Sequence, residues 1–391
     1  MHDFLKRTWA EIHLDRLRDN FHSIRASLSP GCRVMAVVKA DGYGHGAVNT
    51  AMTLRDAGAS WFGVSNLEEA VQLRRAGIEE PILVLSYTPP EEAGRLAECR
   101  VTQTVLTRPY AEELNRAAQA AGVRVRTHLK VDTGMSRVGF LYQEENPAVL
   151  ADMAASCRLP ALDMEGIFTH FASADEQEDG GFTRRQFMLF THAIDQLERA
   201  GIHFALRHCC NSAATLRFPD MHLDMVRPGI ILYGLAPDGW LRDRLPLRPV
   251  MELKTTVSMV KELGPGTPVS YGRIYTTEQP CAVATVPIGY ADGYPRVMSN
   301  RADMLVGSRR VRVVGRVCMD QCMLDVTGLD VRESMVVTVF GEDNGAVLPV
   351  EELAAHMGTI SYEVVCQISK RVPRLFVDGG RTVGQLNYIA P

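Results

Sequence analysis

The run VMAVVK (34–39) ends an apolar stretch on a lysine, and the glycine-rich segment ADGYGHG (40–46) follows at once. Two chemistries are open to Lys39. Its stem can pack while its ammonium reaches water. Alternatively, a desolvated amine of lowered pKa can form an imine with an aldehyde. Further along, THLKVDTGMSRVG (127–139) carries Lys130 and Arg137 beside a glycine-bearing turn. Either could be surface charge or a substrate clamp. His170 closes the apolar run GIFTH, as a structural or an acid–base residue. In HCCNSAA (208–214), Asn211 and Ser212 precede a helical pattern, where they suit helix capping. The same geometry offers N–H groups to phosphate. DMVRPGIILYG (224–234) sets Arg227, Gly229 and Ile230 at a strand-to-loop junction. Later, VSYG, PIGYADGYPR and VGRVCMDQ hold Tyr271, Tyr290, Met319 and Asp320 among glycines, which turn chemistry alone would also explain. Cys318 and Cys322 lack the second pair or histidine cluster that a zinc site needs.

Strand-end residues need strands. Over about 245 residues, short apolar runs alternate with helical patterns, room for about eight βα units. VMAVVK, WFGVSN, PILVLS, TQTVL and VRVRTHLKVD read as strands, and AVNTAMTLRDAG and LEEAVQLRRAG as helices. Gly58, Gly77, Gly122 and Gly201 each follow an alanine, as left-handed helix ends do. The rhythm predicts a parallel sheet. Length favours a (β/α)8 barrel, and no GxGxxG turn supports the open dinucleotide fold. The pattern changes near Leu247–Pro249, after which β-rich segments dominate, with a short helix at EELAAHMG. We expect a barrel over 12–246 and a mainly antiparallel β domain over 247–391, joined by an N-terminal strand within 1–11. The chain has 391 residues, 23% charged and 46% hydrophobic, with a net charge of −4, which points to neither nucleic acid nor membrane partners. No apolar run reaches the roughly 18–20 residues of a membrane helix. The N-terminus has no apolar core of the secretion type, and nine cysteines follow no framework, so a reducing, cytoplasmic setting is expected.

In this order, AVVKADGYGHG, VDTGMSRVG, NSAA, VRPGIILYG, VSYGR, GYADGYPR and VCMDQ resemble the bacterial alanine racemase family along nearly the whole chain. The resemblance implies an N-terminal barrel with a C-terminal β domain, pyridoxal 5'-phosphate (PLP) as cofactor, and a homodimer whose sites each take a lysine from one chain and a tyrosine from the other. Lys39 then matches the cofactor-attachment lysine and Tyr271 the second base. Tyr43, Ser212, Gly229, Ile230 and Tyr362 match the phosphate-binding set. Arg227 matches the arginine facing the pyridine nitrogen, and His170 the histidine linking it to the tyrosine. Arg137 and the Met319 N–H match the substrate-carboxylate contacts. Lys130 matches a lysine that is carbamylated in some members and steadies Arg137. Tyr290 matches a tyrosine at the site's inner mouth, and Asp320 looks like a support beside Met319. Ser136 stands where many members have glycine, and Cys209–Cys210 where other residues are common.

Inverting a carbon centre needs a base on each face, here Lys39 and Tyr271. A phenol with an ordinary pKa near about 10 needs a cationic neighbourhood to act as one, which His170 backed by Arg227 would supply. The bulky phenol of Tyr362 favours alanine over serine. Arg227, in place of a carboxylate, argues against a barrel-type PLP decarboxylase. The β half with Tyr271 argues against a single-barrel PLP carrier. The resemblance suggests supply of D-alanine for peptidoglycan.

Overall fold

The computed structural model describes residues 4–143, 146–178 and 180–390, so residues 1–3 of the expected N-terminal strand lie outside it. The chain forms two compact units. One comprises Leu17–Gly42 and Ala47–Arg248; the other comprises the chain up to Arg16, Tyr43–Gly46, and the chain from Pro249 on.

In the first unit, seven strands run parallel in spatial and chain order: Arg33–Val37, Trp61–Val64, Ile82–Val84, Val101–Val105, Val125–Asp132, Leu162–Phe168 and Leu206–His208. An eighth, Met225–Val226, pairs with the first, Met225 opposite Arg33. Two backbone bonds join the seventh and eighth: Asp224 N–H to Arg207 O (3.1 Å) and Arg227 N–H to Cys210 O (2.9 Å). The sheet thereby becomes the (β/α)8 barrel that the βα rhythm predicts. Strands buried on both faces read as continuous apolar runs because helices cover the outside and side chains fill the inside. Met35, Trp61, Leu83, Phe168, Leu206 and Met225 form one such internal cluster. The helices are bounded as their sequences require. Asn66 and Thr107 accept from the N–H groups of Glu69 and Tyr110 at helix starts. Gly58, Gly77, Gly122 and Gly201 take positive φ at helix ends.

The second unit is a mainly antiparallel sheet. Thr8–His13 lies between Met251–Thr256, antiparallel, and Arg374–Asp378, parallel. The helix Val350–Met357 ends at Gly358 in the left-handed conformation.

A buried cation organises one corner of this unit. Arg374 is 1% exposed. It donates from Nε to Gly44 O (2.9 Å), from Nη1 to Ser369 O (2.7 Å) and Val372 O (2.6 Å), and from Nη2 to Ile368 O (2.7 Å). Gly44 passes so close to Val365 O that a Cβ would collide with it. The guanidinium ties the segment following Tyr43 to the C-terminal part of the sheet. Arg374→Met should therefore remove a donor from four carbonyls, of which Ser369 O keeps a backbone partner, the Val372 N–H, and destabilise by about 3 kcal/mol, read as a lowered denaturant midpoint.

Candidate active site

Most of the basic and polar candidates gather at the C-terminal ends of the barrel strands, the face where barrels of this type carry function. Lys39 follows Arg33–Val37, Lys130 lies near the end of Val125–Asp132, and His170 follows Leu162–Phe168. Ser212 follows Leu206–His208, and Arg227 follows Met225–Val226.

The backbone after Lys39 is unusual. Ala40, Asp41, Gly42 and Tyr43 all have φ between 52° and 62°, a left-handed turn in which only one residue is glycine. Each non-glycine there costs about 1 kcal/mol or more. Side chains hold the turn: Glu69 Oε1 accepts from Ala40 N–H (2.8 Å), and Asp41 Oδ1 accepts from Ala47 N–H at the next helix (3.0 Å). The other oxygen of Glu69 accepts from Ser65 N–H (2.6 Å), so one carboxylate ties together two strand-end loops.

Arg227 is buried, yet burial lowers its pKa only to about 10, so it is cationic at neutral pH. Its Nη1 donates to His208 Nδ1 (3.0 Å). Its Nη2 reaches His170 Nδ1 (3.2 Å), Thr169 O (2.9 Å) and Cys209 O (3.1 Å). A guanidinium only donates. His170 Nδ1 must therefore accept, which leaves the imidazole neutral with its proton on Nε2. Burial, reinforced by the charges of Arg227, Lys130, Arg137 and Lys39, holds the His170 pKa well below its usual value. The positive charge at the barrel mouth thus resides in the arginines and lysines, while His170 itself is neutral.

Lys130 is 3% exposed and bonds Val131 O (2.8 Å). Its pKa falls to about 7, chiefly through burial, with Arg227 and Arg137 adding to the shift and Asp132 opposing it. Arg137 is exposed, on a loop whose Gly134 and Ser136 N–H groups both donate to Asp132 Oδ1 (2.9 and 3.0 Å). Ser136 has φ 55°, which explains why glycine suits this position. Ser212 Oγ accepts from Gly229 N–H (2.8 Å), leaving its hydroxyl proton to donate elsewhere. Gly229 precedes the buried turn Ile230–Tyr233.

The remaining candidates lie in the other unit. The rings of Tyr43 and Tyr362 are 6.1 Å apart, and burial pushes the Tyr43 phenol pKa up. Tyr271 is 70% exposed and lines an open concavity of about 930 Å³ with Tyr290, Arg296, Met319 and Asp320. Positive φ at Ser270 (66°) and Arg273 (50°) shapes its turn, which Ser270 Oγ anchors by donating to Arg316 O (2.8 Å). Arg371 Nη1 donates to Asp320 Oδ1 (2.8 Å). Buried Asp292 ties Arg7 (3.0 Å) and the Gly289 N–H (3.0 Å) beneath the Tyr290 turn. Glu69, Asp292 and Arg374 were not singled out in the sequence; each has a partner far along the chain, respectively Ala40, Arg7 and Gly44.

Residues 12–237 match the model of the alanine racemase N-terminal domain, and residues 250–376 that of the C-terminal domain. The chain belongs to the alanine racemase family. It is 50% identical over 371 residues to an alanine racemase of Desulforamulus reducens, covering 94% of this chain and 98% of that one. The alanine racemase of Clostridium difficile 630 in complex with cycloserine superposes with a TM-score of 0.91 at 38% identity, over 99% of this chain and 100% of that one. That of Bartonella henselae, which carries covalently bound pyridoxal phosphate, gives 0.85 at 26% identity, over 95% and 99%. The family is PLP-dependent.

The barrel-end residues fit such a cofactor. The donor set is rich in cations and hydroxyl or amide donors, with Lys39, Lys130, Arg137 and Arg227 around one neutral imidazole. A ligand bearing a phosphate and a carboxylate matches that charge. Glu69→Ala should free two loop amides, one of them on the residue after Lys39, and weaken PLP retention by about tenfold, the worth of one hydrogen bond to a charged group. Equilibrium dialysis of the purified variant measures it, with circular dichroism confirming that the barrel persists.

Proposed function

We propose that Lys39 and Tyr271 are the two bases of the L-alanine/D-alanine interconversion that marks this family, each serving one face of the substrate's Cα. Lys39 also holds PLP, and Tyr43, Ser212, Gly229, Ile230 and Tyr362 hold its phosphate by the family pattern. When bound, PLP withdraws electrons from Cα and makes its proton acidic. Lys39 Nζ takes or returns that proton on one side and Tyr271 Oη on the other. His170, with its proton on Nε2, stabilises the phenolate by donating to it rather than by carrying charge. By the family pattern Arg227 would lie beside the ring nitrogen of a bound PLP. As a cation at neutral pH that can only donate, it would not accept a proton from that nitrogen, which would favour proton return to Cα over transfer elsewhere. Arg137 and the Met319 N–H receive the substrate carboxylate, with Lys130 as a neutral-capable amine behind Arg137. Tyr290 and Asp320 shape the approach, and the Tyr362 phenol limits the side chain to the size of alanine.

The observation that carries this reading is the cluster of cations at the barrel mouth around an imidazole kept neutral by Arg227. The exposure of Tyr271 on an open concavity supports a homodimer in which each Tyr271 serves the partner's site. The substrate is a small zwitterion. Among the described residues, no helix is long and apolar enough to cross a membrane. The nine cysteines stand free, as suits the reducing cytoplasm in which D-alanine for peptidoglycan is made.

Tyr271→Phe should slow racemisation by about 100-fold or more. In deuterium oxide the variant should still exchange the Cα proton of one enantiomer through Lys39 while exchange from the other collapses; equal exchange from both would exclude two bases. Subunit sharing has its own test. Lys39→Ala and Tyr271→Phe proteins, each nearly inactive, are mixed under conditions of subunit exchange. Random pairing makes half the dimers mixed, each with one intact site, so about one quarter of wild-type activity should return. No recovery despite demonstrated exchange would place both residues of a site on one chain.

A further inference from the structure

Inside the barrel lies a file of polar groups that the two-base scheme does not use. His208, which accepts from Arg227, is fully buried, as is His128 behind it. His208 Nε2 and His128 Nδ1 are 2.9 Å apart. His128 Nε2 points on to Glu165 Oε1 at 3.6 Å, and Thr102 Oγ1 donates to that same oxygen (2.9 Å). Glu165 is the partly solvated end of the file, its side chain 24% exposed.

Donor rules fix every proton in this file. Arg227 donates, so His208 Nδ1 is bare and its proton sits on Nε2. That proton is given to His128 Nδ1, so His128 is neutral too and carries its own proton on Nε2, directed at the Glu165 carboxylate. Burial, with the Arg227 charge, lowers the pKa of both imidazoles, which agrees with two neutral rings.

Two features of the backbone make room for this arrangement. Thr127 pairs with Met164 but His128 pairs with Gly166, so Glu165 is the extra residue of a β-bulge. A bulge re-aims a side chain that strict alternation would direct elsewhere. A Cβ on Gly166 would stand 2.6 Å from His128 Cε1 and 2.7 Å from its ring nitrogens, so only glycine leaves room for the ring. Aromatic neighbours pin both imidazoles: His208 stacks on Phe168 (4.9 Å, 5°) and His128 lies against Trp61 (5.3 Å). Polar groups in a barrel core are unfavourable beside well-packed aliphatic ones unless they meet a need.

We propose that Glu165 and His128 are positioning residues for the reaction: from the bulge they hold His208 in its Nε2–H form, so that its Nδ1 always accepts from Arg227 and keeps the guanidinium aligned. The proposal rests on the placing of Arg227 beside the cofactor ring. Nitrogen-15 histidine NMR of the wild-type holoenzyme, assigned by single histidine substitutions, should show His208 and His128 both protonated on Nε2. A proton on Nδ1 of either ring overturns the proposal, whatever the variants do. Glu165→Leu, which removes the carboxylate that His128 Nε2 faces at 3.6 Å, should lower kcat by about tenfold with KM within about twofold. It should also shift the visible absorption of the bound cofactor, and Glu165→Gln, which retains an acceptor oxygen, should restore most of both. A Leu variant that loses thermal stability but keeps wild-type kcat and absorption makes Glu165 merely structural and overturns it too. An absorption unmoved by Arg227→Lys, with both tautomers as drawn, faults the placing of Arg227 itself and removes the relay from the reaction.

Discussion

A guanidinium buried at the mouth of a barrel accepts no compromise: every neighbour must be an acceptor, and it cannot give up its own proton near neutral pH. Arg227 meets that demand with two carbonyls and two imidazole nitrogens. The consequence spreads outward. Both histidines are forced to one tautomer and to neutrality, so the charge of the pocket stays on arginine and lysine. A carboxylate at this point would have quenched that charge. The site is built for anions, and Arg227 decides how its titratable groups divide the protons.

A second constraint is local. A left-handed turn with three non-glycine residues would not persist in a free peptide. It persists after Lys39 because Glu69 and Asp41 take up its amides and those of the adjoining helix, and because Arg374 holds the carbonyl of Gly44 just beyond it. Strain of this kind belongs where a side chain must be presented in one way only. Lys39 leaves its strand at the start of that turn, so the residues that hold the backbone also restrict where its amine can go.

The sequence made the barrel legible because strand and helix periods differ and helix ends carry glycine at a predictable place. It made the basic residues at strand ends legible for the same reason: a lone charge closing an apolar run stands out. What it hid is pairing across distance. Glu69 reads as an ordinary helix-start acid, yet its carboxylate bridges two loops. Glu165 and His128 read as ordinary members of strands, because a bulge leaves no mark in a single sequence. Arg374 reads as surface charge, though four carbonyls surround it. The protonation of His170 was hidden too, since it follows from which atom of Arg227 it meets and not from residue type.

Tyr271 poses the opposite problem from Arg227. Its turn is strained and anchored, yet the phenol stands 70% exposed, beside Met319 at 52% and Tyr290 at 44%. A phenol acting as a base needs a fixed donor to hold the charge on its oxygen, which bulk water does not supply. Three large side chains in one open concavity also leave apolar surface in contact with solvent, at about 25 cal/mol per Å². In the homodimer we propose, a second copy of the chain would resolve both at once. Covering the concavity would remove apolar area from water and place the phenol in a drier site. Association and catalysis would then depend on the same surface, so conditions that loosen the pair should cost activity in proportion to the fraction of chains set free.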